Sequence, residues 1–247
     1  MEGQCQQPAS QFLQDVGSTL SRCKRRRLQA PVDNSPELEE ALETFSLQTA
    51  ALQKFKESLL SDLEEAKKSA LTLYRPANVT LDPDTAHPQL VLSEDRKSVR
   101  CGERRQDLPD NPERFDPYTC VLGREGFASG RHCWEVEVGD GPRWAVGVAR
   151  ESVKRRGQIT FTPELGIWAL GRWGQYRAFT SPQWTRLSLS RPPRRIQVCL
   201  DWAGGQVAFI DADTKAPIFT FLPASFSGER IRPWFWVVGG APLRLCH

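Results

Sequence analysis

Residues 133–148 read Cys-Trp-Glu-Val-Glu-Val-Gly-Asp-Gly-Pro-Arg-Trp-Ala-Val-Gly-Val. Trp134, Val136 and Val138 alternate with Glu135 and Glu137. That is the period of a strand with one face in a core and one in water. Gly139-Asp-Gly-Pro142 supplies turn chemistry, and Trp144-Ala-Val-Gly-Val148 opens a second apolar run. Short strands separated by tight turns are therefore expected here.

The same texture extends outward from this stretch. Gln89-Leu-Val-Leu92, Arg195-Ile-Gln-Val-Cys-Leu200 and Gln206-Val-Ala-Phe-Ile210 are short apolar runs divided by Gly, Pro, Asp and Asn. No helical pattern lies between them, which predicts an all-β sandwich of two antiparallel sheets. All eight tryptophans fall in this half and supply bulk for a core built of short strands. Trp134 and Trp144, inside strand motifs, read as core residues.

Upstream of Tyr74 the text changes. From Glu37 to Leu73 Leu, Ala, Glu, Lys and Gln dominate. Leu38, Phe45, Leu52, Leu59, Ala66 and Leu73 follow a seven-residue step. Leu42, Leu63 and Ala70 fill part of the companion row, and Thr49 and Lys56 interrupt it. Ser35, Pro36, Glu39 and Glu40 mark the helix start. A shorter helix is expected over Ser10 to Arg27, joined through a turn-rich link at Ala30 to Pro36. The expected organisation is a coiled-coil or hairpin arm over residues 1–75 and a sandwich over 76–247.

The net charge of +3 is too small and too scattered for generic nucleic-acid binding. Arg22-Cys23-Lys24-Arg25-Arg26-Arg27 reads either as an anionic-surface or nuclear-import patch or, more simply, as a solvated basic last helical turn. No apolar run approaches the roughly 20 residues of a membrane helix, and the first ten residues lack the apolar core of a secretory signal. A cytoplasmic, and also nuclear, location is expected. The seven cysteines are scattered and never spaced C-x-x-C, so reduced, mostly buried thiols are expected rather than a metal site. His87 and His132 sit in turn and strand contexts that read as scaffold. Glu135 and Glu137 read as the wet face of their strand. No nucleophile elbow, phosphate-cradling glycine loop or zinc-protease motif is present, so no catalytic residue is assigned.

The β half resembles the PRY–SPRY domain of tripartite-motif and butyrophilin proteins. The PRY part is carried by Val79-Thr-Leu-Asp-Pro-Asp-Thr-Ala-His-Pro88 and Leu90-Val-Leu-Ser-Glu-Asp-Arg-Lys-Ser-Val99. The SPRY part is carried by Gly126-Phe-Ala-Ser-Gly-Arg-His132, Trp134 to Val138, Trp144 to Val148, Leu200-Asp-Trp-Ala-Gly204 and Gly228-Glu-Arg-Ile-Arg-Pro-Trp-Phe-Trp236. The resemblance places PRY at about 78–125 and SPRY at about 126–247. Phe12 to Cys23 is similar to the end of the tripartite-motif coiled coil, which favours that family over butyrophilins. Trp202 and Cys133 each stand where the family usually has Tyr, and local repacking is expected there. The family's RING and B-box, which bind zinc, have no counterpart in these residues. The resemblance implies that cofactor and ligase chemistry reside in those modules, and that this stretch is a C-terminal fragment, a short isoform or a truncated product.

By resemblance, the ligand surface uses the stretch Trp168 to Tyr176, with Trp173 at an aromatic binding position of some relatives. Ala145 and Gly239 fall where those relatives have an acidic and an aromatic contact. Gly171-Arg-Trp-Gly-Gln-Tyr176 and Arg155-Arg-Gly-Gln158 read as polar loops. Arg143, Arg172, Trp173 and Tyr176 are therefore expected to form one partner-contacting patch, suited to a ligand with an acidic group. The simpler reading of Trp173 is a packing residue at the sandwich rim. The expected function is protein recognition for a tripartite-motif-type ubiquitin ligase, in innate immune signalling. The other reading is a regulatory scaffold pairing with itself or related chains through its helices. Neither a membrane nor a specific nucleic acid is an expected partner.

Overall fold

A computed structural model describes residues 36–239 and 242–246. The expected helix over Ser10 to Arg27, the link after it and the basic run between Arg22 and Arg27 lie outside the described residues. Helix α1 (Pro36–Thr72) starts at the proline that the sequence marked. The chain divides into two compact units at a boundary within this helix, between Glu64 and Glu65. Along α1 the heptad residues Phe45, Leu52 and Leu59 are exposed, as are Leu42, Phe55 and Leu60.

The β unit comprises β1 (Arg75–Pro76), β2 (Leu90–Leu92), β3 (Ser98–Cys101), β4 (Cys120–Leu122), β5 (Arg131–Val138), β6 (Arg143–Arg150), β7 (Ile167–Trp173), β8 (Gln175–Ala178), β9 (Thr185–Arg186), β10 (Arg195–Asp201), β11 (Gln206–Asp211), β12 (Pro217–Phe221), β13 (Ile231–Val237) and β14 (Leu243–Leu245). One sheet runs β12-β11-β10-β5-β14-β3-β2, with β1 added in parallel to β5. The other runs β4-β13-β6-β7-β8-β9. All other strand pairs are antiparallel, as the alternation at 133–148 required.

Strand alternation sorts the apolar side chains into three layers. Trp134, Val136 and Val138 of β5 meet Trp144, Val146 and Val148 of β6 in the core between the sheets. Ile196, Val198, Phe209, Trp168, Leu170 and Phe235 complete that core. The outer face of the six-stranded sheet carries Ala145, Ala169, Trp234 and Trp236, roofed by Phe115, Val153, Ile159 and Phe161 from loops. On the outer face of the other sheet Cys133 and Cys199 face each other across β5 and β10, beside Ile210 and Tyr74. Burial, then the neighbouring Cys133, pushes the Cys199 thiol up to about 12, so it stays protonated. Cys133 thus sits outside the central core, and Trp202 donates its indole N–H to the Glu229 carbonyl at 3.0 Å. Both departures from the family pattern are absorbed locally.

Buried cations tie the first part of the sandwich to the rest. Arg232, only 8% exposed, donates to the Gly123 carbonyl (2.8 Å), to Glu151 (2.9 Å) and to Asp82 (2.7 Å). Arg114 donates to the carbonyls of Ala86 and Pro83, and Lys97 to that of Val79. Removing one partner of such a buried pair strands the others and costs about 3 kcal/mol or more.

Candidate functional site

The stretch expected as a loop between Gly171 and Tyr176 is instead the end of a hairpin. β7 runs on to Trp173, Gly174 turns the chain at φ 68°, and β8 begins at Gln175. Glycine fits this left-handed position, and a short turn closed this way keeps the flanking residues in the ladder. The physical reason for the difference is register. β6 lies beside β7 along its whole length and pairs Arg143 with Trp173, which holds the tip as strand.

Alternation then divides the four expected contact residues. Trp173 lies on the outer face of the six-stranded sheet, its ring stacked on Trp236 at 5.2 Å and 8°. Arg143, its cross-strand partner, places its guanidinium over the same ring at 4.5 Å. Arg172 and Tyr176 pair with each other on the opposite face. The Arg172 guanidinium lies over the Tyr176 ring at 5.9 Å and donates to the Asp140 carbonyl at 3.1 Å. Tyr176 meets Trp144 edge-on at 6.0 Å and packs against the central core. Burial raises the Tyr176 phenol above its ordinary range, so it stays protonated. The structure therefore brings Arg143 to Trp173 and Arg172 to Tyr176, as two pairs on two faces rather than one patch.

The outer-face pair sits at the open end of a surface with its own architecture. Across the strands one row reads Trp236, Ala145, Gly171, Arg177, Arg186. Ala145 and Gly171 place no large side chain in the middle of that row, and both are buried. A Cβ on Gly171 would collide with the Trp144 carbonyl oxygen, so backbone contact keeps a side chain out. Trp173 is 37% exposed, whereas Trp236 beneath it is 6% exposed and packs in turn on Phe161. Beside the rings a cleft of about 460 Å³ is lined by Pro142, Arg143, Trp173, Gly174, Val238 and Gly239. A rigid aromatic with one open face, backed by a fixed ring, loses little entropy when a partner covers it.

The remaining candidates fall into scaffold positions. His132 stacks on Phe127 at 4.1 Å and its Nε2 lies 2.8 Å from the Ser129 carbonyl. His87 is buried; its Nδ1 accepts from the Gln89 amide, and burial, then Arg105, holds its pKa below the usual value. Glu135 pairs with Arg195 and Lys215, and Glu137 with Arg194, on the wet face of β5. Among the described residues no group of three His, Cys, Asp or Glu is placed to hold a metal. The platform residue Trp236 and the arginines Arg177 and Arg186 were not singled out in the sequence. The period-2 rule applied onward from Trp173 reaches Arg177, two positions past Gln175, on the same face.

A SPRY-associated domain (PRY) model matches residues 79–127, and a SPRY domain model matches 131–246. Human zinc finger protein RFP is 42% identical over the whole of this chain, which covers 50% of that protein. Pig E3 ubiquitin-protein ligase TRIM15 is 45% identical over 96% of this chain and 50% of its own length. Bovine butyrophilin subfamily 1 member A1 is 50% identical, but over 74% of this chain and 35% of its own. The chain thus spans about half the length of the tripartite-motif relatives that it matches. These relatives align along nearly the whole chain, arm included, whereas the butyrophilin match is shorter. The TRIM65 PSpry domain superposes with a TM-score of 0.61 at 27% identity, over 74% of this chain and 95% of that one.

The two tryptophans of the stack are expected to behave differently. Trp173→Ala should lower the unfolding free energy by about 1 kcal/mol, the worth of one half-exposed stack. Trp236→Ala should lower it by roughly 3–5 kcal/mol, as for a core ring. Urea unfolding of both variants checks this, and equal losses would make Trp173 a core residue rather than a presented one.

Proposed function

Because the chain belongs to the tripartite-motif family of PRY–SPRY proteins, we propose that it selects a protein partner with the outer-face end of the β6–β7–β8 hairpin. One observation carries the reading. Trp173 is a large aromatic held in place by Trp236 and Arg143 yet left open on one side, in a sandwich whose other tryptophans are covered or half-covered. Aromatic and arginine side chains so placed are the usual anchors of protein interfaces. On this reading the bound protein is presented as a substrate to a ligase, as in a relative such as the E3 ubiquitin-protein ligase TRIM15. A setting in innate immune signalling, a cytoplasmic or nuclear location and a cofactor-free domain complete the proposal. The supporting test is selection of displayed peptides on the immobilised full chain. Peptides so selected should bind Trp173→Ala at least about tenfold more weakly, with folding retained. Undiminished binding would place the surface elsewhere.

The exposed apolar row on α1 supports a second half of the proposal, pairing with another helix of its own or a related chain. An isolated amphipathic helix is marginal in water, so a partner helix is the simplest cover for Phe45, Leu52 and Leu59. Two weak sites joined this way gain affinity through effective concentration. Sedimentation of Leu52→Asp with Leu59→Asp should show a smaller mass than the parent chain. An unchanged mass and unchanged helix content would exclude that seam.

A further inference from the structure

The outer face beside Trp173 carries an unbalanced charge. Arg177 of β8 and Arg186 of β9 are direct cross-strand partners at the edge of the six-stranded sheet. Like charges placed opposite each other in a ladder destabilise it, because the side chains start only about 5 Å apart. Several other surface arginines are ion-paired. Arg194 and Arg195 meet Glu137, Glu135 and Asp213, and Arg105 and Arg156 meet Asp116. Arg143, Arg177 and Arg186 form no ion pair with any described carboxylate. Arg177 is only half-exposed, and its Nε is buried with no hydrogen-bond partner among the described residues. A guanidinium nitrogen withdrawn from water without an acceptor is costly, and the half-exposed remainder of the Arg177 group is left to bond a carboxylate from outside.

We propose that this face recognises an acidic peptide segment, with an apolar residue covering Trp173 and carboxylates reaching Arg177 and Arg186 at the edge of the same face. The inference rests on the protein-recognition reading above and names the chemistry of its ligand. The pairing of Ala145 with Gly171, of Gly171 with Arg177 and of Arg177 with Arg186 sets the guanidinium pair on the same face as the aromatic anchor. An extended segment fits this geometry, since alternate side chains of a strand-like peptide point to the same side. A nucleic acid is the weaker candidate. The net charge is only +3, and phosphate backbones are held by broader basic surfaces.

The test measures anisotropy of the full chain with fluorescein-labelled peptides at low and high salt. The probes are hexaglutamate, hexaglutamate with a central tryptophan, hexaglutamine and single-stranded oligothymidylate. The tryptophan-bearing acidic peptide should bind best, hexaglutamine should not bind, and binding should weaken with salt. Arg177→Gln with Arg186→Gln should weaken it by about tenfold or more. That variant should melt at the same or a higher temperature, because a like-charge pair has been removed. Arg100→Gln, on the other sheet, should bind as the parent chain does. Equal binding of hexaglutamine, tighter binding of oligothymidylate, undiminished binding by the double variant, or its early melting would each overturn the proposal. Display-selected peptides that need Trp173 but neither arginine would sink this inference and leave the recognition reading standing. Peptides that need the arginines but not Trp173 would overturn both, since the inference seats an apolar residue on that ring.

Discussion

The backbones of β6 and β7 touch at two glycines, and the rest of the candidate surface follows from that contact. A Cβ on Gly147 would strike the Trp168 carbonyl oxygen, and one on Gly171 the Trp144 carbonyl oxygen. No flexible side-chain end is available to give way at either point. The contact holds a register in which Arg143 faces Trp173 and Ala145 faces Gly171. A slip of one residue would move every side chain of β7 to the other face, putting Trp168 and Leu170 outside the core and Trp173 inside it. Core packing and surface presentation are therefore enforced by the same two positions.

The covering of the outer face decides where the surface begins. Phe161 reaches Trp234, Trp236 and Phe179, and Tyr118 closes on Phe161 at 5.2 Å. These loops are held down by buried charge, since Arg155 donates to the carbonyls of Glu151 and Glu113. Arg232 performs the same task between β13, Asp82 and Glu151. The roof stops short of the hairpin tip. Trp173 thus continues an aromatic stack whose inner members are dry, and it ends that stack where a partner can reach it. A buried support under an exposed ring is a stable way to present apolar surface on a folded domain.

Much of the fold was legible because β-strand periodicity is a local signal. The alternation at 134–138 identified β5, and Trp144 to Val148 identified β6, before any contact was known. The helix start at Pro36 was equally local, resting on capping chemistry within one turn. The candidate surface was legible only in part. Arg143 and Trp173 were found, and so were Arg172 and Tyr176, but reading the tip as a loop merged two faces into one. Whether a glycine-rich polar stretch is strand or loop depends on the neighbour it pairs with, here β6, and that is a long-range fact. The stack on Trp236 and the opposition of Arg177 to Arg186 are long-range facts as well.

Binding through the outer-face end of this hairpin can be watched residue by residue. Backbone amide shifts of the isotope-labelled full chain, recorded as a display-selected peptide is added, test it most directly. The largest changes should fall on Arg143, Gly171, Trp173, Gly174 and Arg177. Residues of the other sheet, such as Gln197 and Cys199, should stay where they are. Changes concentrated on β10 and β11, with the β7–β8 hairpin silent, would contradict it.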